Sequence, residues 1–189
     1  MLLPLVVSNG WAVGVNAYAT VLMLGLAERL GLADAPEALA STEVLLAAGA
    51  LYAVEFVTDK IPYVDHLWDG VHTAIRPTIA AVLGALLAGD ADTLTQAMAA
   101  TGSGATALAS HGVKAGLRVA VNTSPEPFTT ITASLVEDFL VAVVVVLALS
   151  FPWVAFGVAG VLLVGGGLLV ITLLRRIRGF RDRLRARLG

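Results

Sequence analysis

Cysteine is absent from this chain, so disulfides, thiolate nucleophiles and cysteine-held metals are all excluded. Charge is also scarce. Charged residues make up 14% of the 189 positions, against about 25% in an ordinary soluble domain, too few to cover a globular surface in water. Basic residues are rarer still before Leu174, where only Arg29, Lys60, Arg76, Lys114 and Arg118 occur, and the other seven of the twelve crowd into RRIRGFRDRLRARLG. A basic tail next to an apolar segment suggests an anionic lipid surface and not a nucleic acid. The N-terminus MLLPLVVSNGW lacks the basic leader of a cleaved signal peptide, and its apolar stretch runs on to Ala27, so it is expected to stay as a membrane segment.

Apolar sequence fills the rest. Hydrophobic residues are 58% of the chain and mean hydropathy is +0.87, with runs near the roughly 20 residues that cross a bilayer as helix. Six candidate spans can be drawn: Leu5–Ala27, Val44–Thr58 with its flanks, Val71–Ala88, Leu94–Val121, Val136–Leu149 and Trp153–Leu174. The fourth is only moderately apolar and is interrupted by TGSGATALASHG, so a broken or re-entrant segment is expected there. Loop charge favours both termini on the cytoplasmic side of a bacterial inner membrane, since Arg29 would be the lone basic residue of the two exterior loops. The expected fold is an all-α, polytopic helical membrane protein of about six segments. Residues 1–174 form one transmembrane domain and 175–189 a basic amphipathic cytoplasmic tail.

A faint internal echo suggests two halves, 1–90 and 91–174. GVNAYATV (Gly14–Val21) and GVKAGLRV (Gly112–Val119) share Gly, Val, Ala and Val in register, and VEF (Val54–Phe56) is answered by VED (Val136–Asp138). Two three-span halves would stand in opposite orientations, the inverted-repeat plan of many transporters.

The stretch VEFVTDKIPYVDHLWDGVH concentrates charge that the rest of the chain avoids. Glu55 and Asp59 are four apart and share a helix face. A carboxylate in a span needs a partner or water, and Lys60 is nearest in sequence. Pro62 then interrupts the helix. Beyond it Asp65, Asp69, His72 and Arg76 follow at intervals of four, three and four, which stacks them on one face. That stripe reads as the solvated side of an interfacial helix, as an ion- or solute-binding wall, or, from Asp65, Asp69 and His72, as a metal site of no specific motif. A stripe of opposite character, His111, Lys114 and Arg118, lies in the fourth segment beside small residues, Gly112 and Gly116 among them, that permit close helix packing. Glu137 and Asp138 are further carboxylate partners. Asn122, in NTSPEP, sits at a capped turn with backbone groups free to face a cavity, and Asn16 reads as helix–helix glue. In the tail, Arg175, Arg176, Arg178 and Arg181 are placed to meet lipid headgroups while Ile177, Phe180, Leu184 and Leu188 share one side of a helix expected to lie along the cytoplasmic leaflet.

The strings VEFVTDKIPYVDHLWDGVHTAIRP and SHGVKAGLRVAVNTSPEPF, with the opening GVNAYATVLMLGL, resemble the bacterial membrane family called domain of unknown function 4126. The resemblance covers nearly everything before the arginine tail. It marks as important Asn16, Glu55, Asp59, Lys60, Pro62, Asp65, His66, Asp69, His72 and Arg76, then His111, Lys114, Arg118, Asn122, Ser124 and Glu126, and it implies no substrate. A looser likeness is to small cation/proton exchangers bearing Glu and then Gly-Asp-Lys/Arg in each half. Here Glu55 and Asp59-Lys60 are one residue further apart, the glycine is missing, and Glu137-Asp138 has no following base.

The expectation is a homo-oligomer that moves or senses a small ion or solute, with an acidic stripe opposed to a basic one. The rival is a non-transporting scaffold or assembly protein with structural salt bridges. An enzyme is not expected: no nucleophile–base pair or zinc-binding helix motif is found, no lysine follows Gly165–Gly167 as in a phosphate loop, and no cofactor is implied.

Overall fold

The structure is a computed structural model. It describes residues 1–61, 64–121 and 127–188, with the backbone alone at 66, 121, 127 and 178–188. Pro62, Asn122, Ser124 and Glu126 lie outside the described residues, as do the side chains of His66, Arg178 and Arg181.

All regular secondary structure among the described residues is helical: α1 (Leu2–Val15), α2 (Ala17–Arg29), a short 3-10 turn (Glu37–Ala40), α3 (Thr42–Thr58), α4 (Val64–Ala88), α5 (Thr93–Val121), α6 (Pro127–Ser150) and α7 (Pro152–Leu188). Local sequence sets these limits. Asn16, Ser41 and Asp92 accept hydrogen bonds on their side chains from Ala19, Val44 and Leu94 amides, satisfying free N–H groups at the starts of α2, α3 and α5. The Thr95 hydroxyl bonds to Asp92 and holds that surface carboxyl below the usual range. Pro127 and Pro152 open α6 and α7, where a missing N–H costs nothing. Gly31 and Gly89 follow α2 and α4 at φ of 63° and 55°, the left-handed turn that ends a helix with least strain.

Residues 67–88, 128–150 and 152–177 are long and apolar enough to cross a membrane, and α1 is a shorter apolar helix. The exposed surface of α6 and α7 is apolar as well, with Phe139, Val146, Val161, Val164 and Leu168 outward. No water-facing protein would leave such a surface open. The chain is an all-α, polytopic membrane protein with at least three apolar spans.

Helix order along the bundle follows from contacts. α3 and α5 both run antiparallel to α4: Leu51 shares a groove with Thr78 and Glu55 bonds Arg76, while a Cβ on Gly84 would meet Ser103, and His111 bonds Arg76. α7 runs parallel to α5, since Gly166 lies against Val113 and Gly116 against Val170.

The first segment departs from expectation. The run Leu5–Ala27 is two helices separated by Asn16, whose φ and ψ of −148° and 101° are extended. α1 starts beside the start of α5, with Leu2 and Leu3 near Thr95 and Met98. It runs parallel to α5 until Gly14 lies against Ala107 and Ser110. α2 then returns, its Leu26 and Ala27 beside Leu149 and Ser150 at the end of α6. The open ends of α1 and α2 are therefore at the same end of the bundle, and the tip at Asn16 is inside it. The two termini consequently lie at opposite ends, not together as six simple crossings require. The fourth segment is also corrected, because TGSGATALASHG does not interrupt α5, which is continuous over its 29 residues. Its small residues serve packing: a Cβ on Gly10 would sit 2.7 Å from the Ser103 carbonyl oxygen, and those on Gly14 and Gly84 would run into Ala107 and Ala99 carbonyls. α5 is thus clamped between α1 and α4.

Candidate functional site: a buried ion-pair network

The helix reversal at Asn16 creates the frame of the site. A helix end leaves its last carbonyls without intrahelical donors and carries partial negative charge. At the end of α1 these acceptors point at cations from other helices. The Gly14 carbonyl accepts from Arg76 at 3.2 Å and the Val15 carbonyl from Lys114 at 3.1 Å. Asn16 itself caps α2 through its side-chain oxygen and donates from Nδ2 to Asp138 at 3.0 Å. It joins the hairpin to α6 and is more than interhelical glue.

Lys114 is the centre. Its Nζ is 2.6 Å from Asp59, 3.5 Å from Glu137, 3.8 Å from Glu55 and 4.0 Å from Asp69, so carboxylates of three other helices converge on one ammonium. Arg118 lies one turn further on. It holds Glu137 with two bonds, at 2.7 and 3.2 Å, in the planar fork geometry suited to arginine. It also donates to the Asp59 carbonyl and lies 3.6 Å from Asp65. On the other side, Arg76 bonds Glu55 at 2.6 Å. Glu55, Asp65, Arg76 and Arg118 have no solvent exposure at all, and Asp59, Asp69, His72, His111 and Lys114 have 3% or less. The stripe Asp65-Asp69-His72-Arg76 is therefore not the solvated face of an interfacial helix. It is an interior face, matched against His111-Lys114-Arg118.

Hydrogen bonding assigns the histidine tautomers. Arg76 can only donate, so Nδ1 of His111, 2.7 Å away, is an acceptor and the ring is neutral. Its Nε2–H then faces the Asp69 carbonyl and the Thr73 hydroxyl, each at 3.1 Å. Nδ1 of His72 donates to the Trp68 carbonyl, and Nε2 takes the Tyr18 hydroxyl at 2.8 Å. Both nitrogens of His72 are engaged by protein partners. Among the described residues no group of three His, Asp or Glu is arranged to hold a metal.

Lys60 does not pair with Glu55. It turns outward to the network's edge, 4.0 Å from Asp138, where it also bonds Ser134 and covers the Phe56 ring at 3.1 Å. The two glycines expected to pack helices separate: a Cβ on Gly116 would meet Val170, but one on Gly112 would meet nothing within 4 Å. Arg175 and Arg176 are exposed near the end of α7. Sequence reasoning missed Tyr18, Ser134 and the Gly14 and Val15 carbonyls. Nothing in a run of apolar residues announces a carbonyl as a ligand, although an Asn inside such a run is a cap signal that could have placed the break.

A cavity of about 380 Å³ reaches the network. It lies between α1, α5, α6 and α7, touches Lys114 and Glu137, and is otherwise walled by apolar residues such as Trp11, Leu140 and Leu162 and by Gly165 and Gly166.

A membrane-embedded helical bundle pinned by interior ion pairs is the class that these features define. The chain belongs to the bacterial family described as Domain of unknown function (DUF4126), whose model matches residues 3–175. No curated protein and no solved structure matches it.

Proposed function

We propose that the protein is a non-catalytic membrane scaffold or assembly protein whose buried charges hold its helices together. The observation that supports this is the pairing itself. Each of Arg76, Lys114 and Arg118 is buried and makes a bond of 2.7 Å or less to a carboxylate on another helix. Breaking such a pair by removing one partner costs about 3–5 kcal/mol, so the network favours one arrangement strongly over any other. Flux measurement is the test. Reconstituted in liposomes, the protein is expected to pass protons, sodium and potassium no faster than protein-free vesicles. A flux that Glu55→Gln abolishes in a folded protein would replace the scaffold reading with transport.

Movement of a small ion or solute is the second reading, and one observation favours it. Among the described residues the buried carboxylates outnumber the buried cations, and the 380 Å³ cavity opens onto Lys114 and Glu137. On either reading the apolar outer faces of α3 and α7 offer surfaces to a second copy of the chain, and Arg175 and Arg176 are placed for anionic headgroups.

For topology we propose a re-entrant α1–α2 hairpin followed by five crossings, α3 to α7, in the bacterial inner membrane, with the C-terminus cytoplasmic and the N-terminus outside. The arginine-rich end of α7 supports that orientation. The inverted repeat finds weaker support, since Gly14–Val21 straddles the break while Gly112–Val119 lies within the unbroken α5, and α1 runs parallel to α5. The absence of native cysteine makes the topology directly testable. A single cysteine at Leu3 and one at Asp34 should react with the same membrane-impermeant maleimide from outside intact cells, and a cysteine at Thr58 should not. Opposite accessibility of positions 3 and 34 would restore a single first crossing.

A further inference from the structure

Among the described residues the network does not balance. Glu55, Asp59, Asp65, Asp69 and Glu137 are five carboxylates facing three cations, Arg76, Lys114 and Arg118, while Asp138 and Lys60 offset each other at the edge. His111 is neutral by its bond from Arg76. The short hydrogen bonds allot the cations: Arg76 to Glu55, Lys114 to Asp59 and Arg118 to Glu137. Asp65, one turn before Asp69 on α4, shares Arg118 at 3.6 Å, and Asp69 receives none of these short bonds.

Asp69 is the sharper case. Its side chain is 4% exposed, yet neither carboxyl oxygen accepts a hydrogen bond among the described residues. The nearest cationic atom, NH1 of Arg76, lies 3.3 Å away, but the bonds from that nitrogen go to the Gly14 carbonyl and to His111. Lys114 is 4.0 Å away and is bonded to Asp59 and the Val15 carbonyl. A buried carboxylate with no hydrogen bond, in a cluster already rich in negative charge, is not a stable resident of a membrane interior.

We propose that Asp69 is a binding site for one added positive charge, a proton or an alkali-metal ion, which supplies the partner that its two oxygens lack. A proton needs no coordination shell and fits the described residues, which supply no carboxylate–imidazole trio for a metal. An alkali-metal ion would take the Asp69 carboxyl oxygens, the donor type that hard cations prefer. The inference extends the structural reading and stands whether or not the charge is carried across the membrane.

Infrared spectroscopy and thermal melting of the full chain in nanodiscs test it, first in sodium- and potassium-free buffer at neutral pH and then with either ion added. If the charge is a proton, the wild type shows a carboxylic-acid C=O band that shifts in heavy water and disappears in Asp69→Asn, and added salt leaves Tm unchanged. If it is an alkali-metal ion, that band is missing and the ion raises the Tm of the wild type by several degrees but not that of Asp69→Asn. If Asp69→Asn does not fold, the wild type and Asp69→Glu are compared with isotopically labelled aspartate: an acid band from Asp69 carries the label in the wild type and loses it in Asp69→Glu, whereas a band from another aspartate keeps it. A wild type with no ion-dependent Tm, and either no acid band or one that persists when Asp69 is replaced, overturns the proposal.

Discussion

Lys114→Met is expected to prevent accumulation of folded protein. The substitution keeps most of the side-chain volume and removes the one ammonium that lies within 4.0 Å of Asp59, Glu137, Glu55 and Asp69. Asp59 loses its 2.6 Å partner and the Val15 carbonyl loses its donor. Leaving a buried charge uncompensated costs about 3–5 kcal/mol, a large part of the roughly 5–15 kcal/mol that holds a typical domain together. Yield of monodisperse protein on size exclusion and the Tm of what remains would report the loss. Lys114→Arg keeps the charge and should lose less, though the larger guanidinium must fit where the ammonium is 3% exposed. If Lys114→Met folds with an unchanged Tm, the carboxylates around it are not held by charge.

The second large effect is steric. Gly14→Val is expected to separate α1 from α5, because even the first carbon of the new side chain would run into Ser110 Oγ and the Ala107 carbonyl. Overpacking a well-filled site costs about 1–3 kcal/mol when side chains can give way. Here part of the obstruction is α5 backbone, so the cost should reach or exceed the top of that range. The same displacement withdraws the Gly14 carbonyl from Arg76, and the Arg76–Glu55 pair should loosen with it. Gly112→Val is the matched control. It is on the same helix as the obstruction, but a Cβ there meets nothing within 4 Å, so its Tm should stay near that of the wild type. Gly14→Ala combined with Ser110→Ala should recover part of the loss, since it removes the hydroxyl but not the Ala107 backbone. Equal Tm values for Gly14→Val and Gly112→Val would show that the close approach of α1 and α5 does not matter to stability.

Much of the site was legible in the sequence, and the reason is periodicity. Asp65, Asp69, His72 and Arg76 had to share a helix face, as did His111, Lys114 and Arg118, and opposite charges inside a membrane had to meet. What the two stripes could not convey was allotment. Lys60 is the neighbour of Asp59 in sequence, but α3 ends there and its side chain is directed toward Asp138 on α6. Only the reach of the Lys114 side chain from α5 to the end of α3 gives Asp59 to Lys114 instead. The helix break was misassigned for a related reason. Gly and Ser in the fourth segment read as breakers, yet in a bilayer small residues also let helices approach, and α5 uses Ser103, Ala107 and Ser110 in that way. The real reversal is at Asn16, within a run apolar enough to pass for one crossing. It is stabilised by partners far away in sequence: Asp138, Lys114 and Arg76.

A double-mutant cycle on Lys114 and Asp59 tests the structural role of the network most directly. Unfolding free energies would be measured for the wild type, Lys114→Met, Asp59→Asn and the pair, in the same detergent and buffer. Residues coupled through one ion-pair network show interaction energies of about 0.5–3 kcal/mol, and the double variant is expected to be less destabilised than the two single losses added together. Strict additivity, within about 0.5 kcal/mol, would mean that the 2.6 Å contact between α5 and α3 does not hold the bundle together.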